Sequence, residues 1–438
     1  MTLLTPTRQR VIPSPSAGLW PGLFNPPVAP LHAKAARALI QRAVRKMPVS
    51  LVFPDGTRWG AGGPELQIAR PDAFFARLGR DGLIGLGEAW MTGELTAGGW
   101  LPSRKDLHSA NPATDTLAAA LTVLATRMEH LVPAFLQKLR ALWDRHTPNE
   151  EENTEVQARQ NIHRHYDLSN DLFELFLDPT MSYSAAWFEP GTDTSTVDLE
   201  TAQYRKIDGV LDLARVGHGA SVLEIGSGWG ALAIRAAADR GAEVTTLTLS
   251  TEQKEFAERR IAEAGLANRI TVRLEDYRAH AAANPGKYHS VVSVEMIEAV
   301  GEKFWPDYFG AIDRVLQPGG RMGLQAITID HDRLMATRHS YTWIHKYIFP
   351  GGILPSLTAI DRVLAPTTLR VAESRRLGPS YVTTLQQWRH TFNDNLEKVY
   401  ALGFDETFTR MWNFYLAYTQ AGFAAEYIDD WQLGLARM

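Results

Sequence analysis

The chain of 438 residues contains no cysteine. That one absence excludes disulfide bridges, thiolate-held metals and a cysteine nucleophile, and it removes redox chemistry as a guide to compartment. Long apolar runs are missing as well. None approaches the roughly 20 residues that span a bilayer, and residues 1–20, MTLLTPTRQRVIPSPSAGLW, lack the continuous apolar core of a signal peptide. A cytoplasmic protein is therefore expected. Neither sign of charge dominates: a formal net charge of −4 gives no global attraction to nucleic acid, so no nucleic-acid partner is expected. Contact with an anionic surface must come from a local patch. There is no GxSxG elbow, no Walker loop and no internal repeat.

What is present centres on residues 222–230, VLEIGSGWG, an apolar strand running into three alternating glycines. Gly226, Gly228 and Gly230 have no Cβ, so the chain can turn sharply and offer backbone N–H groups at the mouth of the next helix. GSGWGA also fits a degenerate dinucleotide fingerprint. A dehydrogenase, however, places an acid roughly 20 positions on to hold a ribose hydroxyl, and this chain has Thr248, Leu249 and Ser250 there. With Glu224 inside the strand, the missing acid favours S-adenosylmethionine over NAD. The plain alternative is a glycine turn that merely joins strand to helix.

The organisation reads as an α/β fold in four parts. Residues 1–28, rich in Pro, Ser and Gly, form a leader; 29–145 form an N-terminal α+β domain; 146–160 are a charged linker; 161–438 form a doubly wound domain. Residues 30–47 carry Lys34, Arg37, Arg42, Arg45 and Lys46 at helical spacing with no acid among them. Such a helix can lie on an anionic membrane or simply pack on its own domain. Strands are expected at 50–53 and 67–69 with a hairpin turn at Pro54-Asp55-Gly56, a loop-rich run at 82–99, and helices over 111–142. The second half alternates in the βαβ manner, with strands at 221–225, 243–249, 270–273, 290–294 and 321–327. Residues 384–438 read as aromatic helices, including Trp388 and Phe423, which either complete a core or line an apolar channel. His163 and His165 alternate without a third ligand at useful spacing, so no metal site is expected. Asp330, His331 and Asp332 read as a solvated loop.

Six blocks in order resemble the cyclopropane-fatty-acyl-phospholipid synthase family: HYDLSNDLFELFLDPTMSYSAAWF at 165–188, VLEIGSGWG, TLTLSTEQ at 246–253, EMIEAVG at 295–301, KYIFPGGILPS at 346–356 and GPSYVTTL at 378–385. With GLGEAWMTGEL, similar to the family's N-terminal lipid-engaging domain, the resemblance covers about residues 50–438. It implies a class I methyltransferase sheet with aromatic helical C-terminal additions. The implied reaction is methyl transfer from S-adenosylmethionine to the cis double bond of an acyl chain on a membrane phospholipid, at the inner face of the membrane. It also implies roles by position. Gly226 and Gly228 approach the methionine end of the cofactor, and Tyr183 and Ser184 close over it. Thr248 and Gln253 hold the ribose, while Asp276 and Tyr277 contact adenine. Glu298, Ile327 and Tyr381 surround a bound bicarbonate that acts as general base.

Two positions depart from the family pattern. Ala185 stands for a cysteine bordering the bicarbonate, and Gln325 for a histidine that can exchange a proton where a carboxamide can only hydrogen-bond. Methyl transfer to an alkene leaves a carbocation, for which Tyr183, Trp187, Trp343, Tyr347 and Tyr381 are candidate aromatic faces. Deprotonation of the added methyl before any hydride shift closes a cyclopropane; deprotonation after the shift leaves a methylene branch. The LQAITI form at 324–329 favours the methylene branch, with cyclopropane as the alternative. A separate reductase would convert the methylene to a methyl branch. Rival readings are a small-molecule N-methyltransferase, which would not need the N-terminal domain, and a lipid-binding protein without catalysis. The oligomeric state stays open, a homodimer among the candidates.

Overall fold

The computed structural model describes residues 20–98, 112–127, 169–194 and 196–438. The expected linker, His163 and His165 lie outside them, as does most of the leader. Two compact units divide the chain: residues up to Ala120 with 393–415, and residues from Leu121 to Phe392 with 416–438.

In the first unit, α1 (Pro30–Val44) opens with proline in its first turn, where a missing N–H costs nothing. It buries Ala36 and Val44 and leaves Lys34, Arg37 and Arg42 exposed. β1 (Ser50–Val52) and β2 (Arg58–Gly60) form the expected hairpin, closed by the Phe53 N–H donating to the Thr57 carbonyl at 2.9 Å. β3 (Glu65–Ile68) pairs parallel to β1, and β4 (Leu95–Ala97) antiparallel to β3. The glycine-rich run expected as loop is instead half helical. α2 (Pro71–Met91) passes through it, with Gly82 alone outside helical geometry (φ 55°, ψ −127°). Burial of Phe74, Phe75, Ile84, Ala89 and Trp90 holds both halves, so the glycine kinks the helix without ending it. α3 (Pro112–Thr126) is helical as expected, and the rest of the 111–142 expectation lies outside the described residues.

The second unit is built on a seven-stranded sheet of order β10-β11-β9-β8-β5-β6-β7. Its strands are β5 (Ser221–Ile225), β6 (Glu243–Thr248), β7 (Ile270–Leu274), β8 (Tyr288–Val294), β9 (Leu316–Ile329), β10 (Leu369–Arg376) and β11 (Ile428–Arg437). The five expected strands pair in parallel. β11 runs antiparallel between β9 and β10, which corrects the reading of the last residues as helix. Side chains alternate across the sheet. Val222, Val244 and Val292 pack with α4 (Leu199–Leu213), α5 (Ala231–Arg240) and α6 (Thr251–Glu263) on one face. Leu223, Ile225, Val291 and Leu324 pack with α7 (Trp305–Val315) on the other. Both faces are covered, which is why most positions of β5 and β8 are buried. α8 (Gly378–Asp394) and α9 (Glu406–Ala424) are helical as expected. Asp330 caps a short helix, His331–Thr337, in place of the expected loop.

From β5 the chain winds one way to β6 and β7, then returns to β8 on the other side of β5. Ligands of such sheets bind beyond the carboxyl ends of the strands where the winding reverses. The glycine loop after β5 and residues 295–298 after β8 both fall there.

Candidate active site

β5 ends at Ile225, and the chain turns through Gly226 (φ 95°), Gly228 (φ 49°) and Gly230 (φ 90°) into α5. The turn is pinned to β6: the N–H groups of Gly226 and Ser227 donate to the Leu247 carbonyl at 3.0 and 2.9 Å. A Cβ on Gly226 would lie 2.5 Å from Met296 Cγ, so loop and β8 segment touch, whereas the Cβ side of Gly228 is open. α5 starts without a side-chain cap, leaving backbone donors of the kind that bind charged or polar ligands. At the end of β6 the Thr248 hydroxyl donates to Gln253 Oε1 at 2.9 Å. These two expected ribose-holding residues thus converge. Asp276 takes Arg278 Nε and Nη2 at 2.8 and 2.7 Å and caps the helix at Tyr277, whose ring meets Tyr308 at 5.4 Å. An open loop, bare backbone and a hydroxyl–amide pair without a carboxylate fit S-adenosylmethionine.

Tyr183 packs its ring 5.2 Å from Phe173 and 5.4 Å from Trp388. Tyr381 lies 4.5 Å from Phe423 and 6.1 Å from Trp388, so these side chains form one aromatic wall. Trp187 is different: the Arg375 guanidinium covers its ring at 4.0 Å, which removes it as a candidate cation-facing surface. Trp343 is buried against Tyr347 at 5.3 Å. Ser184 accepts from the Lys206 ammonium at 2.6 Å, and burial holds Lys206 below its usual range.

Around the expected anion site the structure brings Ala185, Gln325 and Tyr381 together, and a side chain that sequence reasoning passed over stands between them. Glu295 Oε1 accepts from the Ala185 N–H at 2.8 Å and from Gln325 Nε2 at 2.9 Å, and Glu295 Oε2 accepts from the Tyr381 hydroxyl at 2.8 Å. Gln325 also donates to Asp430 Oδ2 at 3.0 Å and accepts from Gln432 at 3.1 Å. Glu298 receives the Ile327 N–H at 2.5 Å on one oxygen and has no partner on the other. These donors do not fit a bicarbonate, because a carboxylate of the chain already engages three of them. Glu295 was visible as the first letter of EMIEAVG, but nothing in that block shows that it reaches back to Ala185.

Burial raises every carboxyl here: Glu298 to about 8, with the neighbouring Glu295 as second cause, and Glu295 and Asp430 above the usual range. Hydrogen-bond donors favour the charged form. Three converge on Glu295, while Glu298 and Asp430 each keep one oxygen without a partner. The donors therefore favour the negative charge on Glu295, while Glu298, raised to about 8, is mostly protonated at neutrality.

Residues 153–433 match the mycolic acid cyclopropane synthetase family. Over 438 aligned residues the chain is 46% identical to the tuberculostearic acid methyltransferase UfaA1 of Mycobacterium tuberculosis, covering 97% of each. It is 32% identical to the cyclopropane-fatty-acyl-phospholipid synthase of Escherichia coli, covering 86% of this chain and 89% of that one. Among solved structures, the cyclopropane synthase MmaA2 from Mycobacterium tuberculosis aligns with a TM-score of 0.58 at 30% identity, over 66% of this chain and 99% of that one. Mycolic acid cyclopropane synthase CmaA1 complexed with SAH and CTAB aligns at 0.56 and 29% identity, with the same coverage.

Proposed function

The chain belongs to the mycolic acid cyclopropane synthetase family, and from that premise we propose that it methylates the cis double bond of unsaturated acyl chains on membrane phospholipids, giving a methylene-branched chain. It is an S-adenosylmethionine-dependent methyltransferase. The observation that carries the substrate reading is Met296: the residue touching the glycine loop sits between Glu295 and Glu298, so a methyl acceptor beside that loop lies next to buried carboxyls.

When bound, S-adenosylmethionine supplies an electrophilic methyl group on a sulfonium sulfur. Gly226 and Gly228 allow close backbone approach, and the Thr248–Gln253 pair offers hydroxyl and amide groups to a ribose. An isolated alkene is a weak nucleophile, so it must be aligned at near-attack distance with water excluded. Tyr183, Trp388, Tyr381 and Phe423 provide the apolar wall for that task. Their faces also stabilise positive charge on the alkene carbon left behind, by roughly 1–2 kcal/mol per ring when desolvated. A proton must then leave the added methyl. No step passes through bicarbonate, whose donors Glu295 already engages.

Higher identity to the tuberculostearic acid methyltransferase than to the cyclopropane synthase, 46% against 32%, supports the branched product over the ring. A separate nicotinamide- or flavin-dependent reductase would then saturate the methylene. The exposed basic face of α1 supports peripheral attachment to the inner face of an anionic membrane; among the described residues, no helix is long and apolar enough to cross one. Lipids from cells expressing the protein over an oleoyl-rich membrane test the proposal. Proton NMR should show olefinic methylene signals. Upfield ring protons instead would replace the branched product by cyclopropane, and no new signal would overturn the activity.

A further inference from the structure

We infer that the Glu295 side chain is the resident base of the reaction, seated in the anion cradle in place of an external bicarbonate. The inference rests on the alkene-methylating reading given above. Four observations carry it. Glu295 has φ 51°, a left-handed conformation shared by only three other non-glycine residues among those described, and one that side chains adopt rarely unless the surroundings hold them. Its two oxygens collect donors from three separate parts of the chain: the segment before α4, strand β9 and helix α8. Of those donors, the family resemblance assigns Tyr381 to a loose anion, and Ala185 and Gln325 stand at the two departing positions beside it. Glu295 as a residue is half-buried, and it adjoins the glycine loop through Met296.

A carboxylate so held accepts a proton without first being recruited from solution. In the step, one C–H bond of the newly attached methyl breaks, and its electron pair becomes the second bond of the methylene group, quenching the adjacent cation. The proton goes to a Glu295 oxygen and then to water, which restores the carboxylate. Nothing is oxidised or reduced beyond the internal hydride shift. Gln325 acts as a positioning residue, its amide bridging Glu295 and Asp430. This gives a reason for the amide: imidazole in that position would compete for the proton, whereas the carboxamide donates without titrating.

The test uses the full chain with oleoyl phospholipid vesicles and S-adenosylmethionine in carbon-dioxide-stripped buffer, with and without added bicarbonate. Wild-type turnover should be the same in both. Glu295→Gln should lose about 10²–10⁴-fold in kcat while keeping its melting temperature and S-adenosylhomocysteine affinity. Glu295→Gly should recover turnover with formate or bicarbonate, which a merely structural role would not produce. In ¹³C NMR, labelled bicarbonate should bind Glu295→Gly and not the wild type. Bicarbonate-dependent turnover or bicarbonate binding in the wild type overturns the inference, as does a Glu295→Gln variant of wild-type rate. The wild-type measurements hold even if a variant fails to fold. Absence of any methylated lipid from the wild type would bring down the proposed function as well, and so is told apart from failure of the base assignment alone.

Discussion

A carboxyl in the middle of a parallel strand has no solvent to support its charge. Glu224 on β5 is such a group: 4% exposed, with one oxygen unpartnered, and pushed by burial from 4.5 to about 8. Glu298 is raised to about 8 for the same main reason. In both, the fold favours the protonated form. Their stabilisation is therefore complete below about pH 4.5, where the unfolded chain is also protonated, and is lost as pH rises toward 8. Urea denaturation should show stability falling across that window by up to about 1.4 kcal/mol per pH unit for each group, and Glu224→Gln should remove its share of the slope. An unchanged slope in that variant would contradict the assignment. At this scale the sequence is partly legible. Thr248 and Gln253 could be paired because five positions separate a strand end from a helix start, and local geometry brings them together. Glu295, Lys206 and Asp430 could not, because their meeting depends on long-range packing and on one left-handed backbone turn.

Elements differ in how plainly they announce themselves. The parallel strands are sandwiched between two helical layers, and their short β-branched segments alternating with helical ones give them away. β10 is an exposed edge, LRVAESRR, with charged residues at half of its positions; nothing in its composition separates it from a loop. β11 sits in a stretch whose aromatic content suggests helix. The strand–loop–helix unit at β5 makes a sharp prediction. Gly226→Ala would put a Cβ onto the Met296 side chain and, at φ 95°, strain the backbone by roughly 1–2 kcal/mol. Met296 can yield; the backbone cannot. S-adenosylhomocysteine affinity measured by calorimetry should fall about tenfold, since each 1.4 kcal/mol is a factor of ten. Gly310→Ala, on α7 with nothing near its Cβ position, should leave affinity intact and raise stability by about 0.5–1 kcal/mol.

For the whole molecule, net charge misleads. At −4 the chain should avoid anionic surfaces, yet the exposed side of α1 and its C-cap gathers Lys34, Arg42, Arg45 and Lys46 around exposed Leu31 and Leu39, opposite buried Ala36 and Val44. Such a face combines apolar insertion with attraction of about 1 kcal/mol per basic residue. Sedimentation with phosphatidylglycerol vesicles should show binding that weakens with salt and drops at least about tenfold in a Lys34→Glu, Arg42→Glu, Arg45→Glu variant. Equal binding by that variant would refute membrane attachment through α1. The division into units was less legible than the patch: residues 393–415 return to the first unit, and no shift in composition marks that return.

β11 pairs with β9 from Ile428 to Ala436 and supplies Asp430 and Gln432, both bonded to Gln325. Gln325 thus takes two of its partners from residues 105 and 107 positions further along the chain, so its surroundings are complete only once β11 has docked. Until β11 docks, the sheet lacks its antiparallel closure, and β10 has no strand to pair with.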